Sequence, residues 1–177
     1  MTVPYYKIIA ITLGIIMLIP IAYIAFLRVI TYDPAPVEDV DHVSGKRTIA
    51  AGDPLTALTF NIGYGGYDRS EDFFMDGGKG VLPESGDAVM DNMSGILSII
   101  ENEDCDVVMV QEVDVDSGRS FHVNEDGYLS SRPGVGHAYA CNYKVLFVPY
   151  PTPPLGKMDS GISIHNPLAV SEVKRSP

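Results

Sequence analysis

From Ile8 to Leu27 the chain runs for 20 residues without a charged side chain, IIAITLGIIMLIPIAYIAFL. As an α-helix this segment is about 30 Å long, the thickness of a bilayer's hydrocarbon core. Gly14 and Pro20 lie inside it, and both residue types are tolerated in membrane helices. The competing reading is a cleaved signal peptide, whose apolar region usually runs to only about 7–15 residues before a small-residue cleavage site. Here Arg28, Val29 and Ile30 follow, with no Ala-x-Ala pattern. Residues 1–30 are therefore read as an uncleaved signal anchor. Lys7 and the amino terminus flank one end, whereas Asp33, Glu38, Asp39 and Asp41 crowd the other. Arg28 weakens this asymmetry without reversing it. The positive-inside rule then expects a cytoplasmic N-terminus, one pass through the cell membrane and an extracellular domain.

The rest of the chain is acidic. The whole sequence has 12 Lys+Arg against 23 Asp+Glu, a formal charge of −11. Lys7 and Arg28 precede the first acid, Asp33, so the part beyond them is more negative still. Such a surface disfavours non-specific nucleic-acid binding, which relies on Lys and Arg to neutralise phosphates. Residues 31–54 carry Pro34, Pro36, Gly45 and Pro54, scattered charges and no apolar period, and are read as a tether. One domain is expected over residues 55–177. Its two cysteines, Cys105 and Cys141, are read as unpaired half-buried thiols, since spacing alone does not establish a disulfide.

Within the domain, LTALTFNI at 55–62 and CDVVMVQEV at 105–113 are apolar on both alternating faces, the pattern of strands covered on two sides. Between them lies a Gly-rich loop and then a helical stripe, Val89, Met93, Leu97 and Ile100, with Ile96 beside it. Strand, helix, strand predicts a parallel pair. HAYACNYKVLFVPY and SGISIH read as further strands separated by the Pro-rich turn PTPPLGK. The class is α/β or α+β with a mixed sheet.

The first strand ends at Asn61 and the second at Gln111-Glu112. Ligands collect at the carboxyl ends of such strands. A carboxylate there is costly to bury unless it is paired or holds a cation, and oxygen donors suit Mg²⁺, Mn²⁺ or Ca²⁺. On these residues alone two readings stand: a metal site, or a rim glutamate paired with a lysine beside an asparagine that starts a turn.

LTFNIGYGG followed by a helix and DVVMVQEVD resembles the first two signature segments of the endonuclease/exonuclease/phosphatase family. DFFMDGGK, DSGRSFHVNE, ACNYKVLFVPYP and GKMDSGISI resemble its bacterial membrane-anchored branch. The resemblance implies a four-layered α/β/β/α sandwich and metal-dependent phosphoester hydrolysis with Mg²⁺ or Mn²⁺. It implies Glu112 as ligand of the catalytic cation, and Asn61 as a group that orients the metal site or the scissile phosphate. Arg119, Asn142 and Lys144 are secondary candidates for binding substrate phosphate, since cationic donors suit it. Against this stands the reading that they are surface residues paired with nearby acids. Asp72 and Asp76 are weighed for a second cation or the cleft entrance, with solvated loop charge as the default.

The sequence also departs from the family. It has no Gly-Asp-x-Asn turn and no Asp-His pair near its end; the one Asp-His, Asp41-His42, lies in the tether. His165 is read as a loop histidine, and His122 and His137 as structural. Ser120 lacks the partners of a serine hydrolase. The domain is therefore expected to represent the first half of the sandwich, with little hydrolysis of its own. The alternative is a non-catalytic extracellular binding module that kept the fold. The expected substrate is a phosphoester, left open among phospholipid, sphingolipid, nucleotide and sugar-phosphate esters.

Overall fold

The computed structural model describes residues 4–67, 72–74 and 77–176. It separates into two compact units, Met1–Asp33 and Pro34–Pro177. The first is helix α1, Tyr5–Ile30. Its stretch Tyr5–Arg28 has mean hydropathy 2.6 and is long and apolar enough to cross a membrane. Arg28 lies in the last turn, where a cation complements the helix dipole, and Thr31 Oγ1 donates to Leu27 O at 2.6 Å.

The second unit is mixed α/β, as the strand–helix–strand pattern predicts. In chain order its elements are β1 (Glu38–Asp39), β2 (His42–Val43), β3 (Ala57–Asn61), α2 (Gly86–Glu103), β4 (Val107–Asp114), α3 (Glu125–Ser130), β5 (Gly136–Val148), β6 (Gly156–Asn166) and β7 (Lys174–Arg175). Five strands form one sheet in the order β2-β5-β6-β4-β3. β3 and β4 are parallel, and the other pairs in this sheet are antiparallel. β1 and β7 make a separate two-stranded ribbon.

α2 starts where Ser85 caps it, its hydroxyl accepting from Ala88 N at 3.1 Å, a favoured N-terminal arrangement. Its stripe of Val89, Met93 and Ile100 is buried against Val108, Val110 and Val113 of β4, with Ile62 and Leu129 of α3 in the same cluster. β3 contributes Leu58 and Phe60 to the edge of this core. One face of the sheet is thus closed. The other is not: Ala57, Thr59, Met109 and Ile162 are exposed. The expectation that β3 and β4 are covered on both faces is corrected here, because α2 and α3 cover only the Val108–Val110 side.

The segment read as a tether holds structure. His42 and Val43 pair with Ala138 and His137, and Glu38 and Asp39 with Arg175 and Lys174. The compact unit therefore begins at Pro34 rather than at residue 55. Gly45 packs directly on the backbone of Pro167 and Leu168, where a Cβ would not fit. His165, expected in a loop, lies in β6 and is buried at 1% exposure. Its Nε2 meets Ser163 Oγ at 2.9 Å, and burial, with Arg132 and His137 nearby, pushes its pKa down to about 3. Cys105 and Cys141 are both free and half-buried, as expected.

Candidate active site

A regular two-residue alternation along β4 would send Glu112 to the same side as Val108 and Val110, into the core. The strand avoids this with a bulge. Its register to β6 shifts between Gln111 and Val113, and Glu112 adopts a left-handed conformation, φ 56°. One extra residue flips the rest of the strand to the opposite face. Val113 takes the buried position, and the Glu112 carboxylate is released to an open cleft.

That cleft has a volume of about 710 Å³ and takes Asn61, Gln111 and Glu112 from the strand ends. Asn61 and Gln111 are register partners across the parallel pair. Asn61 Nδ2 donates to Glu112 Oε1 at 2.8 Å, while Asn61 Oδ1 accepts from Gly63 N at 2.9 Å. The amide therefore holds the carboxylate with one end and starts the Gly-rich loop with the other. The structure brings these two sequence candidates into direct contact.

The loop forms a wall of the cleft. Gly63, Tyr64 and Gly65 have φ of 53°, 46° and 58°, a left-handed turn that glycine permits on either side of the tyrosine. Asn92 of α2 ties it down, donating to Gly65 O at 2.9 Å. Tyr64 is buried, and the Arg119 guanidinium lies 3.8 Å from its ring centroid. Burial raises the Tyr64 pKa against the opposing effects of Tyr67 and Arg119. Tyr67, Phe73 and Phe74 continue the wall.

Arg119 lines the cleft, and its charge is tied to a buried acid. Its Nε and Nη2 grip Asp114 Oδ2 and Oδ1, both at 2.9 Å, and Nη2 also reaches Ser160 Oγ at 3.2 Å. Ser120 Oγ donates to the same carboxylate at 2.9 Å, so this serine serves Asp114. Asn142 lines the cleft as well. Lys144 does not; its ammonium pairs with Asp159 at 2.6 Å. Asp72 anchors the turn to Lys79, accepting from Lys79 N through its backbone oxygen at 2.9 Å and through Oδ2 at 3.2 Å. Asp76 lies outside the described residues. His122 pairs with half-buried Asp116 at 2.6 Å, and His137 stacks with His165, ring centroids 6.2 Å apart.

Sequence reasoning missed Tyr64, Tyr67, Phe73, Phe74, Asp114 and Ser160. The aromatic residues are visible as a cluster in GYGGYDRSEDFF, but nothing in one sequence says which wall they build. Among the described residues no group of three or more His, Cys, Asp or Glu side chains stands as a metal cluster.

A mixed sheet with a carboxylate and an amide joined at the C-terminal ends of adjacent parallel strands defines an α/β protein with an oxygen-donor site in an open cleft. The chain belongs to the Endonuclease/Exonuclease/phosphatase family, whose model matches residues 58–175 and so spans both strand ends. Membership points to a hydrolase. No curated protein sequence and no solved structure matches the chain.

Proposed function

We propose that the cleft is the metal end of a phosphoester hydrolase, with Glu112 as direct ligand of Mg²⁺ or Mn²⁺ and Asn61 as the group that orients it. The observation that carries this reading is the Asn61–Glu112 hydrogen bond at the bulged end of β4. The donor chemistry fits: Mg²⁺ takes hard oxygen ligands, commonly one or two carboxylates with waters completing the shell. When bound, the cation would neutralise charge on the phosphoryl oxygens and stabilise the leaving oxygen. Asn61 fixes the Glu112 carboxylate through Nδ2. Arg119 and Asn142 contribute polar edges to the same cleft, Arg119 with its charge already shared with Asp114. Lys144 remains a weaker candidate in this reading, its charge already answered by Asp159. The reading carries with it a four-layered sandwich, in which a second sheet covers the open face at Thr59, Met109 and Ile162. It also carries a single-pass anchor through α1 with the domain on the cell exterior.

A second reading is supported by the histidines. None lines the cleft among the described residues, so no imidazole stands ready to take a proton from water. A domain that binds a cation and a phosphoester without hydrolysing it would look the same. The full chain in detergent micelles distinguishes the two. Mn²⁺ binding followed by electron paramagnetic resonance is expected to weaken at least about tenfold in Glu112→Gln, the range seen when a metal site loses a supporting group. Hydrolysis of bis(p-nitrophenyl) phosphate, however slow, is expected to need the cation and to vanish in the same variant. Unchanged Mn²⁺ affinity in Glu112→Gln, or hydrolysis that survives chelation, overturns the reading. Cation binding with no turnover decides for the binding module.

A further inference from the structure

We propose that the tip of the β5–β6 hairpin is an interfacial element that enters a phospholipid surface and presents the cleft to phosphoesters lying there. The proposal rests on the phosphoester reading of the cleft for its substrate, and on separate observations for the lipid.

The first observation is exposure. At the end of the hairpin Tyr143, Leu146, Phe147 and Tyr150 are 47%, 57%, 51% and 71% exposed. Single exposed apolar residues are ordinary, but a contiguous group of large ones marks an interaction surface. Leu146 and Phe147 near the end of β5, with Tyr143 before them and Tyr150 in the turn beyond, mix apolar and amphipathic side chains as suits a membrane interface, where a tyrosine ring keeps its hydroxyl wet.

The second observation is the backbone of the turn. Pro149, Pro151, Pro153 and Pro154 fall within the seven residues from Pro149 to Leu155. Proline has no N–H. An irregular turn entering lipid is penalised for every donor it strips of water, and this turn has few donors to strip.

The third is charge. From Gly127 to Met158 the sequence contains no Asp or Glu, in a chain with 23 of them, and it does contain Arg132, Lys144 and Lys157. Lys144 on β5 and Lys157 at the turn end of β6 pair with Asp159 and Asp116, so each offsets an acid close to the hairpin. An acidic body is repelled by anionic lipid headgroups; this long segment brings no carboxylate of its own to that surface.

The fourth is continuity with the cleft. Tyr143 and Leu155 line it together with Glu112. An unbroken series of ring contacts also joins the two places. Tyr64 meets Tyr67 at 5.2 Å, Tyr67 meets Phe73 at 4.5 Å, Phe73 meets Phe74 at 4.8 Å, and Phe74 meets Tyr150 of the hairpin turn at 6.4 Å. A lipid whose phosphate lies at Glu112 would find an aromatic path for its apolar part leading back to the tip. The same chain carries a helix long enough to cross a bilayer, so a lipid surface is the partner of highest local concentration.

The sequence has no tryptophan, so one introduced indole reports alone. Phe147→Trp and Tyr150→Trp place it on the tip; Ile99→Trp places it at an exposed position on α2. Each full-length variant is reconstituted into phosphatidylcholine vesicles with and without lipids brominated on the acyl chains. The tip probes are expected to emit to the blue of Ile99→Trp and to be quenched about twofold or more by the brominated lipid, since interfacial segments bury about 5–10 Å into the headgroup and acyl boundary. Ile99→Trp is expected to be unaffected. Two results overturn the proposal: tip probes quenched no more than Ile99→Trp, or a blue shift that tracks protein density rather than bromination, the mark of contact with a second copy. The readout does not use hydrolysis. A cleft that fails to hydrolyse phosphoesters would leave the lipid contact standing, and an active cleft with unquenched tip probes would remove it.

Discussion

Asp114 is completely buried, and its carboxylate is satisfied by Arg119 through two parallel hydrogen bonds and by Ser120 through a third. Such a fork is the strong form of a charged hydrogen bond, and Arg119 is mostly buried over the Tyr64 ring. Removing one partner of a buried ion pair leaves the other charge uncompensated, at about 3–5 kcal/mol. Arg119→Ala is therefore expected to lower unfolding free energy by an amount in that range, read by urea denaturation of the full chain. Arg119→Lys is expected to recover only part of it, because an ammonium does not reproduce the planar fork. If Arg119 served substrate phosphate alone, Arg119→Ala would leave the denaturation midpoint in place. Glu112 is the opposite kind of residue. Held in a sparsely populated left-handed conformation, it gives up backbone comfort to face the cleft, the signature of a position selected by something other than packing.

Helix α3 illustrates what one short element can conceal. Its first residue, Glu125, is fully buried, accepts from Asp114 N at 2.7 Å through Oε2, and leaves Oε1 without a hydrogen-bond partner. Burial, reinforced by the Asp114 carboxylate and opposed by that one N–H, raises its pKa to about 9. The folded protein thus binds a proton at Glu125 that the unfolded chain, with an ordinary glutamate near 4.5, releases. Between those two values the native state holds more protons than the unfolded state, so stability falls as pH rises. Glu125→Gln keeps an acceptor for the Asp114 N–H and cannot ionise. It is expected to raise the melting temperature at pH 8, by a margin that grows between pH 5 and pH 9. An equal margin at both ends of that range would show that Glu125 is ionised in the fold.

The same element shows where sequence reading stops. β3, α2 and β4 were legible because each repeats its period long enough to be counted: Val89, Met93 and Ile100 for the helix, Val108 and Val110 for the strand. α3 has six residues, EDGYLS, with two acids and a glycine as its first three, and no period survives at that length. The β4 bulge went unread although the sequence marks it: a two-residue period from Val108 and Val110 would bury Glu112 and expose Val113, and the register shift between Gln111 and Val113 reverses that. The pairing of residues 38–43 depends on partners about a hundred residues away, which local composition does not reveal. Asn61 and Glu112 could be singled out because both end apolar runs; the Tyr64–Arg119 stack could not, because it joins two loops.

At the scale of the whole chain, the asymmetry of charge is the strongest statement the molecule makes about its surroundings. α1 has Lys7 near its start and Arg28 in its last turn, so basic residues alone give a shallow bias. The segment beyond the helix adds no base to offset it at once: Asp33, Glu38, Asp39 and Asp41 come before the next one, Lys46. Orientation depends on the excess of Lys and Arg close to the span, with acids counting little, and the amino terminus adds its charge to Lys7. A cytoplasmic N-terminus with the cleft-bearing unit outside is therefore expected. Protease added to intact cells producing the full chain with a cytoplasmic N-terminal tag should digest the unit from Pro34 onward and leave a short tagged fragment. An intact chain, degraded only after lysis, would reverse the orientation. A soluble chain that has lost its tag together with α1 would instead identify the apolar segment as a cleaved leader.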